Sequence, residues 1–523
     1  MAIGTDFSTT SPQPAETSTA SSSPVNPRVW QGSFIVETAN MRRRESPMYV
    51  MTNPTLSVAL IPDLPTEEIF CDTERKKLKA GILCLYCPAQ NHCSLSMNEN
   101  CDSTVRKDML EALRRIANGS GTAKENKNNQ NTFATNATVF DLLTTRSLAI
   151  PVSNGQLMLG TWQGVYLFYD NYFCSAEQNG PPKVFWALIE GAEYERTEYS
   201  ANHAGSFSLG TYLKETTLSN EEESDSQFHC LTHLHTHHTS ASLCLRDKEQ
   251  QAFKEKGNSP EKHDPKKPKQ ARRIAALAKQ GQKSNSVDLE REVMNEVVLD
   301  RWNDEFFEHT YEGRDDMTGH LKCTLLGCST ILDLNSQGRS KNAVLNEHRE
   351  GRSLRKISLV HVLYSSQKIK KSLEEQAAGA AALADSSTNS TAPSNKQVVE
   401  IVIDDPSSSS APITDVTELV IQHVIGRSSA STAATAPAVL FVGVSGPARL
   451  VTSRSKFPVD TLKALCAREY WYHLLPSSAM IPLGGLRSFD SGTRTAGEEQ
   501  DRFFVVTQAG PNTSAIKLTL VSL

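Results

Sequence analysis

Two short stretches of the chain decide its predicted fold, because one can be laid on the other. Residues 93–100 read CSLSMNEN and residues 241–248 read ASLCLRDK, and a short apolar run precedes each stretch. A weaker echo lies at 440–450, and residues 148–155 have a counterpart at 479–485. Similarity of this kind within one chain indicates a repeated supersecondary unit. The sequence therefore predicts an α/β (α+β) protein built from three diverged repeats.

The length and composition agree with several packed units. A chain of 523 residues is too long for one hydrophobic core. Its net charge of −5 argues against a globally basic surface, so nucleic acid is not expected as a partner, and only the basic stretch from Lys266 to Arg273 leaves that class of function open. The sequence contains no run of the roughly 18 apolar residues that a membrane span requires, so no membrane partner is expected either.

Shifts in composition suggest where the units begin and end. The N-terminus is rich in Ser, Thr and Pro and resembles neither a signal peptide nor a transit peptide. Two other stretches, one Lys-rich and one rich in Ala, Ser, Thr and Asn, read as an inserted polar loop and a linker. We predict a disordered tail over 1–27, a first repeat over 28–195, a second repeat over 205–373 with a polar insertion at 248–284, a linker over 377–396, and a degenerate third repeat over 398–523.

The cysteines indicate a reducing environment. There are 11 of them, and Cys84 and Cys87 form the single CxxC pair. The apolar residues around that pair are typical of a buried strand, so we interpret both as core thiols rather than as a redox dithiol. Free cysteines of this kind predict a cytoplasmic protein.

Three polar motifs stand out from the apolar pattern. Residues 309–322 read HTYEGRDDMTGHLK, which is too polar for a core and rich in metal-ligand types. Residues 238–243 read HTSASL at a strand end, and residues 160–164 read GTWQG where another strand begins. Alone, the last two are also typical of an ordinary strand-end histidine and of a tight turn beside a packed Trp.

Together with Asn98-Glu99-Asn100-Cys101-Asp102, these motifs resemble the YjbQ-like family, known for a secondary thiamine-phosphate synthase activity. One small family subunit carries a His-Thr-Ser-Ala-Ser-Leu strand end, an Asn-Glu-Asn-Ala-Asp loop, a His-x-x-Glu-Gly-x-Asp-Asp-Met-Pro-Ala-His-x-Lys segment and a Leu-Gly-Thr-Trp-Gln-Gly strand. Members of that family are small α/β proteins that form trimers. The resemblance therefore implies three fused copies in a monomeric, intramolecular pseudo-trimer, each copy a β-sheet sandwich with helices.

The motifs are divided between the repeats in a complementary way. The first repeat keeps the loop at 98–102 and the strand at 160–164, but has Gln90 where the family has its histidine. The second keeps residues 238–241 and most of 309–322, whereas the third keeps none of these polar motifs. We therefore predict one surviving composite site, which takes its histidines from the second repeat and its Asn/Glu loop from the first.

Residue types suggest roles within that site. Three imidazoles, on His238, His309 and His320, suit a divalent metal such as Zn²⁺ with one position left for water or substrate. Carboxylates are candidates for orienting those imidazoles or for acid–base catalysis: Glu99, Glu312, Asp315 and Asp316. Basic and polar residues are candidates for holding a small phosphorylated or anionic substrate: Lys322, with Ser240, Asn98, Asn100, Trp162 and Gln163.

By the resemblance, the leading function is a YjbQ-like enzyme. It implies a thiamine-phosphate-synthase-type transfer that joins a hydroxymethylpyrimidine diphosphate to a thiazole phosphate, or else a metal-assisted hydrolysis. The alternative is a non-catalytic assembly or binding protein that retains a metal or anion site. Strand alternation also places His233, His235 and His237 on the face opposite His238, where we expect them to face solvent rather than form a second metal site.

Overall fold

The computed structural model describes the chain in segments separated by gaps. These segments are 27–36, 56–61, 64–89, 93–117, 144–170, 181–210, 228–247, 289–335, 337–338, 340–365, 368–372, 398–403, 413–428, 438–446, 448–454, 469–483, 501–507 and 516–523. Three predicted segments lie largely or wholly outside these residues, namely the tail at 1–27, the insertion at 248–284 and the linker at 377–396.

The first unit of the fold contains eight described strands and three helices. They are β1 (Val29–Ile35), β2 (Leu56–Ile61), α1 (Thr66–Ile69), α2 (Thr73–Lys76), β3 (Gly81–Tyr86), β4 (Cys93–Glu99), α3 (Ser103–Ala117), β5 (Ser147–Ser153), β6 (Gln156–Leu157), β7 (Gln163–Asp170) and β8 (Lys183–Glu190).

The second unit follows at once. Its described elements are β9 (Glu193–Ala201), β10 (Gly205–Ser208), β11 (Phe228–Thr236), β12 (Ala241–Asp247), a π-helical turn (Leu289–Met294), α4 (Asn295–Val297), α5 (Trp302–Glu305), α6 (Arg314–Leu326), β13 (Ser329–Asp333), β14 (Lys341–Glu347) and β15 (Ser353–Ser365).

The third unit completes the chain. Its described elements are β16 (Lys368–Ser372), β17 (Val398–Ile403), β18 (Ile413–Asp415), α7 (Thr417–Ser428), β19 (Val439–Val444), β20 (Ala448–Arg454), α8 (Glu469–Leu474), β21 (Ser478–Pro482), β22 (Asp501–Thr507) and β23 (Ile516–Ser522).

The same strand order occurs in all three units. The larger sheets run β1-β8-β3-β5, β9-β15-β11-β13 and β17-β23-β19-β21, with β6 and β16 added at edges. The smaller sheets run β2-β7-β4, β10-β14-β12 and β18-β22-β20. The stretches aligned in the sequence, at 93 and 241, begin the equivalent strands β4 and β12. The α+β class and its repeated sheet arrangement are thus confirmed.

Each larger sheet contributes residues to two buried cores, one on each of its faces. In β3, Leu83 and Leu85 pack against the small sheet of their own unit, in a core that includes Leu95 and Met97. The alternate residues, among them Cys84, join a core shared with the larger sheets of the other two units. Cys84 and Cys87 are fully buried free thiols, as predicted.

Contacts between units run in one direction around the molecule. Three equivalent residues open the strands β7, β14 and β22, and each reaches into the next unit. Gln163 donates to the carbonyl of Thr236 at 2.8 Å, Lys341 donates to the carbonyl of Ala448 at 3.0 Å, and Asp501 accepts from the amide of Ala89 at 3.0 Å. The first unit thus contacts the second, the second contacts the third, and the third contacts the first. This is the closed head-to-tail pattern of a cyclic trimer.

Strand pairing groups two segments differently from the predicted boundaries. Strand β9 pairs with β15, so residues 193–195 lie in the second unit rather than at the end of the first. Strand β16 pairs in parallel with β17, so residues 368–372 belong to the third unit's sheet. Apolar patterning marks a strand but does not say which sheet it joins. Among the described helices, none has the length and apolarity needed to cross a membrane.

Candidate functional site

A strand end of the first unit and a helix of the second carry the polar residues of the site. Strand β4 ends at Glu99 and α3 begins at Ser103, so the Asn/Glu loop lies in the turn between them. Helix α6 begins directly after Gly313, whose φ of 124° is one that glycine adopts without strain. Asp316 and His320 stand one helical turn apart on α6 and so share a face.

The side chains of His309, Asp316 and His320 converge at buried positions. The Nε2 atom of His309 lies 3.1 Å from one oxygen of Asp316, and Nε2 of His320 lies 3.5 Å from the other. Ligand atoms of all three residues fall within 4.8 Å of one another. Ligands bonded to a tetrahedral zinc ion at about 2.1 Å stand about 3.4 Å apart. The two distances to Asp316 are therefore close to the spacing of ligands around one ion.

The imidazole of His320 is oriented by acceptors on its other nitrogen. Its Nδ1 lies 2.8 Å from Oδ1 of Asn98 and 3.2 Å from the carbonyl of Thr239. Both atoms are acceptors, so Nδ1 carries a hydrogen, and Nε2 is the nitrogen that faces Asp316. A histidine ligand fixed through its second nitrogen in this way is typical of protein metal sites.

His309 is oriented in the same manner by the first unit. Its Nδ1 lies 2.8 Å from Oδ2 of Asp102, and its backbone amide donates to Asp108 at 2.8 Å. Burial opposes the charged imidazolium, but the neighbouring carboxylates of Asp316 and Asp102 outweigh it and raise the pKa of His309 to about 9. The surroundings therefore favour positive charge at this position.

The donor set fits a divalent cation. The Oδ2 atom of Asp316 belongs to a residue that is only 2% exposed, and Nε2 of His309 lies 3.1 Å from it. Two imidazole nitrogens and one such carboxylate are ligands that zinc and other first-row divalent ions accept. The residues that would hold the ion are His309, Asp316 and His320.

Glu99 brings the first unit to the edge of this group. Its Oε2 lies 3.9 Å from Nε2 of His320, which is close enough for interaction but too long for a hydrogen bond. Its other oxygen accepts the thiol hydrogen of Cys101 at 2.5 Å, and its carbonyl accepts from the hydroxyl of Tyr166. The structure thus brings Asn98 and Glu99 together with the second unit's histidines, as the composite arrangement predicts.

His238 does not join the group. Its Nδ1 lies 3.0 Å from the guanidinium of Arg355, and its Nε2 lies 3.2 Å from the backbone amide of Lys356. Burial, followed by the charge of Arg355, lowers the pKa of His238 to about 4. Hydrogen-bond donors therefore face both ring nitrogens of His238. Asp316, and not His238, completes the group with His309 and His320.

Two of the residues predicted to hold an anion, Lys322 and Ser240, also point elsewhere. Lys322 lies two residues beyond His320, on another face of α6, where its ammonium pairs with buried Glu290 and donates to Asn295 at 2.9 Å. The hydroxyl of Ser240 is buried and lies 3.4 Å from the guanidinium of Arg355. Neither group meets the His309–Asp316–His320 cluster.

The acidic residues of the motif, Glu312 before α6 and Asp315 and Asp316 in its first turn, have different surroundings. Asp316 is buried in the cluster, whereas Asp315 accepts from the backbone amide of Glu350 at 2.8 Å. Glu312 is exposed and pairs with Arg349 at 2.7 Å. The same guanidinium lies 3.2 Å from Oδ1 of Asp316, so Arg349 connects the outer carboxylate with the inner one.

The residues predicted to bind substrate on the first unit differ in exposure. Asn100 donates to the carbonyl of Gln163 at 3.1 Å and so holds its own loop. Gln163 is buried, and its amide donates to the carbonyls of Thr236 and His238. Trp162 is 57% exposed and remains free to contact a ligand.

The histidines on β11 and just after it are buried, so the expectation that they face solvent is wrong. His233 and His235 have no measurable exposure, and His237 is 9% exposed. His235 lies 3.0 Å from Oε1 of Gln163, which belongs to the first unit. Strand alternation identified the shared face correctly, but the neighbouring unit covers it.

Two site residues escaped the sequence analysis. Asp102 is the last residue of the loop motif at 98–102. Its carboxylate, at the end of that motif, could have marked it as a partner for a histidine. Arg349 follows β14 in a stretch with no distinctive pattern, so no sequence signal placed it beside Asp316.

Comparisons with known proteins agree with the resemblance seen in the motifs. A family model described as "UPF0047 protein YjbQ-like" matches residues 64–171, which lie in the first unit. The chain is 36% identical over 74 residues to UPF0047 protein YjbQ of Escherichia coli O157:H7, which covers 14% of this chain and 52% of that protein. The match thus spans about half the length of that relative.

A second relative is covered more fully. UPF0047 protein YugU of Bacillus subtilis (strain 168) is 30% identical over 117 residues, which is 22% of this chain and 78% of that protein. Among solved structures, a YbjQ-like protein of unknown function from Sulfolobus solfataricus P2 is 16% identical, with 31% of this chain and 99% of that chain covered at a TM-score of 0.21.

Proposed function

Since the chain belongs to the YjbQ-like UPF0047 family, we propose that it is an enzyme with one divalent-metal site, built between its first and second units, that acts on a small phosphorylated substrate. The observation that carries this proposal is the convergence of His309, Asp316 and His320 within 4.8 Å. Asn98 and Asp102 of the first unit orient the two imidazoles. Catalytic zinc sites typically have three protein ligands and leave a coordination position for water or substrate, whereas structural zinc sites have four protein ligands.

The residues of this chain would divide the remaining work. When bound, a divalent ion such as Zn²⁺ supplies positive charge that stabilises a phosphate or diphosphate leaving group. Glu99, which lies beside His320, is placed to accept or donate a proton at the edge of the cluster. Arg349 already neighbours Asp316, and its guanidinium is suited to bind a phosphate oxygen. Exposed Trp162 offers an apolar surface to the rest of the ligand.

Two reactions are consistent with these groups. In the transfer, a thiazole nitrogen forms a bond to the pyrimidine methylene carbon while the bond from that carbon to the diphosphate oxygen breaks, and diphosphate leaves with the electron pair. In the hydrolysis, a water oxygen attacks phosphorus, the bond to the leaving oxygen breaks, and Glu99 takes the proton of the water. Both reactions release an anionic phosphate group, so both use the same positive charge.

Metal content is the first test. Purified full-length protein should contain about one zinc or similar divalent ion per chain, and Asp316→Asn, which keeps the side-chain shape, should lose it. Asp304→Asn is the matched control, because Asp304 is an exposed carboxylate that pairs with Arg314. Elemental analysis of all three proteins decides the matter, and a wild-type protein that binds no divalent ion when supplied with one contradicts the proposal.

Product release separates the two reactions. Diphosphate released from hydroxymethylpyrimidine diphosphate only when thiazole phosphate is present indicates the transfer. Phosphate release without that acceptor indicates hydrolysis. Loss of either activity in Asp316→Asn but not in Asp304→Asn would support catalysis at the composite site.

A non-catalytic binding protein is the second candidate. It is favoured by the position of Lys322, which is the cation expected to hold phosphate and is instead held by Glu290. Stoichiometric metal with neither activity would favour this candidate over the enzyme.

A further inference from the structure

The three units meet around one axis, where each of them repeats the same backbone contact. In each unit, an amide of the small sheet donates to a carbonyl two residues before a strand of the larger sheet. These bonds run from Leu95 to Thr145 at 2.6 Å, from Leu243 to Gly327 at 2.9 Å and from Leu450 to Pro476 at 2.7 Å. The strands that follow, β5, β13 and β21, contact one another in all three pairings. They therefore surround the pseudo-threefold axis of the ring.

A cavity, called here the axial cavity, lies between these strands. Its volume is about 140 Å³. The first unit contributes residues of β4 and β5 to its wall, the second unit residues of β12 and β13, and the third unit residues of β20 and β21. A cavity needs roughly 10–15 Å³ to hold one water molecule. The axial cavity therefore has room for several waters or for one small organic molecule.

Hydrogen bonds between units fix the wall of the axial cavity. Ser147, the first residue of β5, donates to the carbonyl of Met480 in the third unit. Ser478, the first residue of β21, donates to the carbonyl of Ile331 in the second unit at 2.6 Å. All four residues line the cavity. The cavity is thus a property of the closed ring and of no single unit.

Four other hydroxyl groups of this wall lack partners among the described residues. They come from all three units, and none of them forms a hydrogen bond to any residue that the structure describes: Ser96, Ser329, Thr330 and Thr452. A polar group that has lost water and found no partner costs free energy, so such groups are usually paired. Whatever fills the axial cavity is therefore expected to form hydrogen bonds with these hydroxyls.

A neutral imidazole adds a fifth polar group to the wall. His473 lines the axial cavity, and its buried Nδ1 has no hydrogen bond within the described part of the chain. Burial, followed by the charge of Arg449, lowers the pKa of His473 to about 4. The ring is therefore uncharged at neutral pH, where one of its nitrogens donates a hydrogen bond and the other accepts one.

The wall provides hydrogen bonds but no charge. None of the described residues that line the axial cavity is an Asp, Glu, Lys or Arg. An ion would lose its water there without gaining an opposite charge, which is costly. Hydroxyl groups and a neutral imidazole each donate and accept hydrogen bonds, and the groups that match them in both directions are hydroxyls.

We propose that the axial cavity binds a small neutral polyol. This site is separate from the proposed metal site, which lies at the first interface and is built from imidazoles and a carboxylate. All three units contribute hydroxyl groups to it, so it needs the third unit, which carries none of the polar motifs of the family.

Saturation-transfer NMR with glycerol as the probe tests this proposal on the full chain. Saturating the protein should reduce the glycerol signal of the wild type. The much larger sucrose should not displace glycerol, because the cavity is too small for it. Glycerate, which resembles glycerol but carries a negative charge, should compete at least tenfold less well than unlabelled glycerol.

Three variants each remove one hydroxyl from one unit and nearly keep the shape of the side chain: Ser96→Ala, Thr330→Val and Thr452→Val. Each should weaken glycerol binding about 2–10-fold, which is the effect of one lost hydrogen bond between neutral groups. Thr197→Val is the matched control, because it makes the same change on β9, outside the cavity wall. Its glycerol binding should equal that of the wild type.

The metal-site variant Asp316→Asn separates this proposal from the proposed function, because it should bind glycerol as the wild type does. A wild-type chain that transfers no saturation to glycerol overturns the proposal. Full-strength binding in all three hydroxyl variants, or displacement by sucrose, overturns it as well, because glycerol would then lie on the outer surface. Equal competition by glycerate would contradict the assignment to a neutral ligand.

Discussion

Asn98 is the residue on which the geometry of the composite site depends most directly. Its Oδ1 accepts from Nδ1 of His320 and from the amide of Glu99, each at 2.8 Å. Its Nδ2 donates to the carbonyl of His320 and the hydroxyl of Thr324, each at 2.7 Å. One buried carboxamide therefore connects the loop of the first unit with α6 of the second and selects the tautomer of His320.

Replacing Asn98 by Ala should weaken the metal site without removing a ligand. We expect divalent-metal affinity to fall about 10–100-fold, because the imidazole loses the acceptor that orients it. Unfolding free energy should fall by about 1–3 kcal/mol, because buried partners lose their hydrogen bonds. Competition with a chelator measures the affinity, and urea unfolding measures the stability.

Asn100→Ala is the matched control for that experiment. Asn100 lies in the same loop but contacts the backbone of Gln163 rather than a histidine. Its replacement should leave metal affinity unchanged. Equal losses of affinity in the two variants would mean that the loop as a whole, and not the contact with His320, is responsible.

At the scale of a single element, β11 and the residue after it carry a histidine ladder, defined here as His233, His235 and His237. The rings of neighbouring members lie 6.3 and 5.3 Å apart between centroids. Burial lowers the pKa of His233 to about 3, and burial with the charge of Arg196 lowers that of His237 to about 4. The ladder is therefore neutral in the folded protein.

The ladder should make the protein sensitive to acid. An unfolded histidine has a pKa of about 6.5, so between pH 6.5 and about 4 the unfolded chain binds protons that the folded chain does not. Stability is then fully present above pH 7 and falls as the pH drops below 6.5, by about 1.4 kcal/mol per unit for each such histidine. Urea unfolding between pH 4.5 and 7.5 should reveal this slope.

The variant His233→Gln should have a shallower slope over that range. His203→Gln replaces a histidine outside the ladder and should behave like the wild type. Parallel stability curves for wild type and His233→Gln would contradict the assignment of acid sensitivity to the ladder.

At the scale of the whole molecule, the ring closes through a buried ion pair between the third and first units. Arg146 lies 3.3 Å from Asp501, and neither side chain is more than 1% exposed. Asp501 also accepts the backbone amide of Ala89. A buried charge that loses its partner is strongly destabilising, whereas exposed pairs contribute little.

Asp501→Ala should therefore loosen the closure of the ring. We expect a loss of about 3–5 kcal/mol in unfolding free energy, because Arg146 stays buried after losing the carboxylate of Asp501. The double variant Arg146→Met/Asp501→Leu should recover much of that loss. Thermal unfolding of the full chain measures both effects.

Asp415→Ala is the comparison on the surface of the same unit. Asp415 pairs with Arg502 at a solvent-accessible position. Its loss should shift the unfolding midpoint much less than Asp501→Ala does. Similar shifts from the two variants would show that closure of the ring contributes no special stability.

The predictable part of the site follows from local order along the chain. His309, Asp316 and His320 lie within one motif, and helical periodicity alone places Asp316 and His320 on the same face. The motifs also indicated that Asn98 and Glu99 would meet them. Lys322 and His238 carry equally suitable groups, yet Glu290 and Arg355 engage them. These partners lie far away in the sequence, where no local pattern connects them.

The amino-acid sequence by itself determined the repeated α+β units, the strands that begin them and the family, because periodicity and motifs are local properties of the chain. The tertiary structure alone decided which sheet takes β9 and β16, that the histidine ladder is buried, and that Asp316 rather than His238 joins the two imidazoles. These features depend on which surfaces meet when the three units close into a ring, and burial and charge pairing are set only at that step.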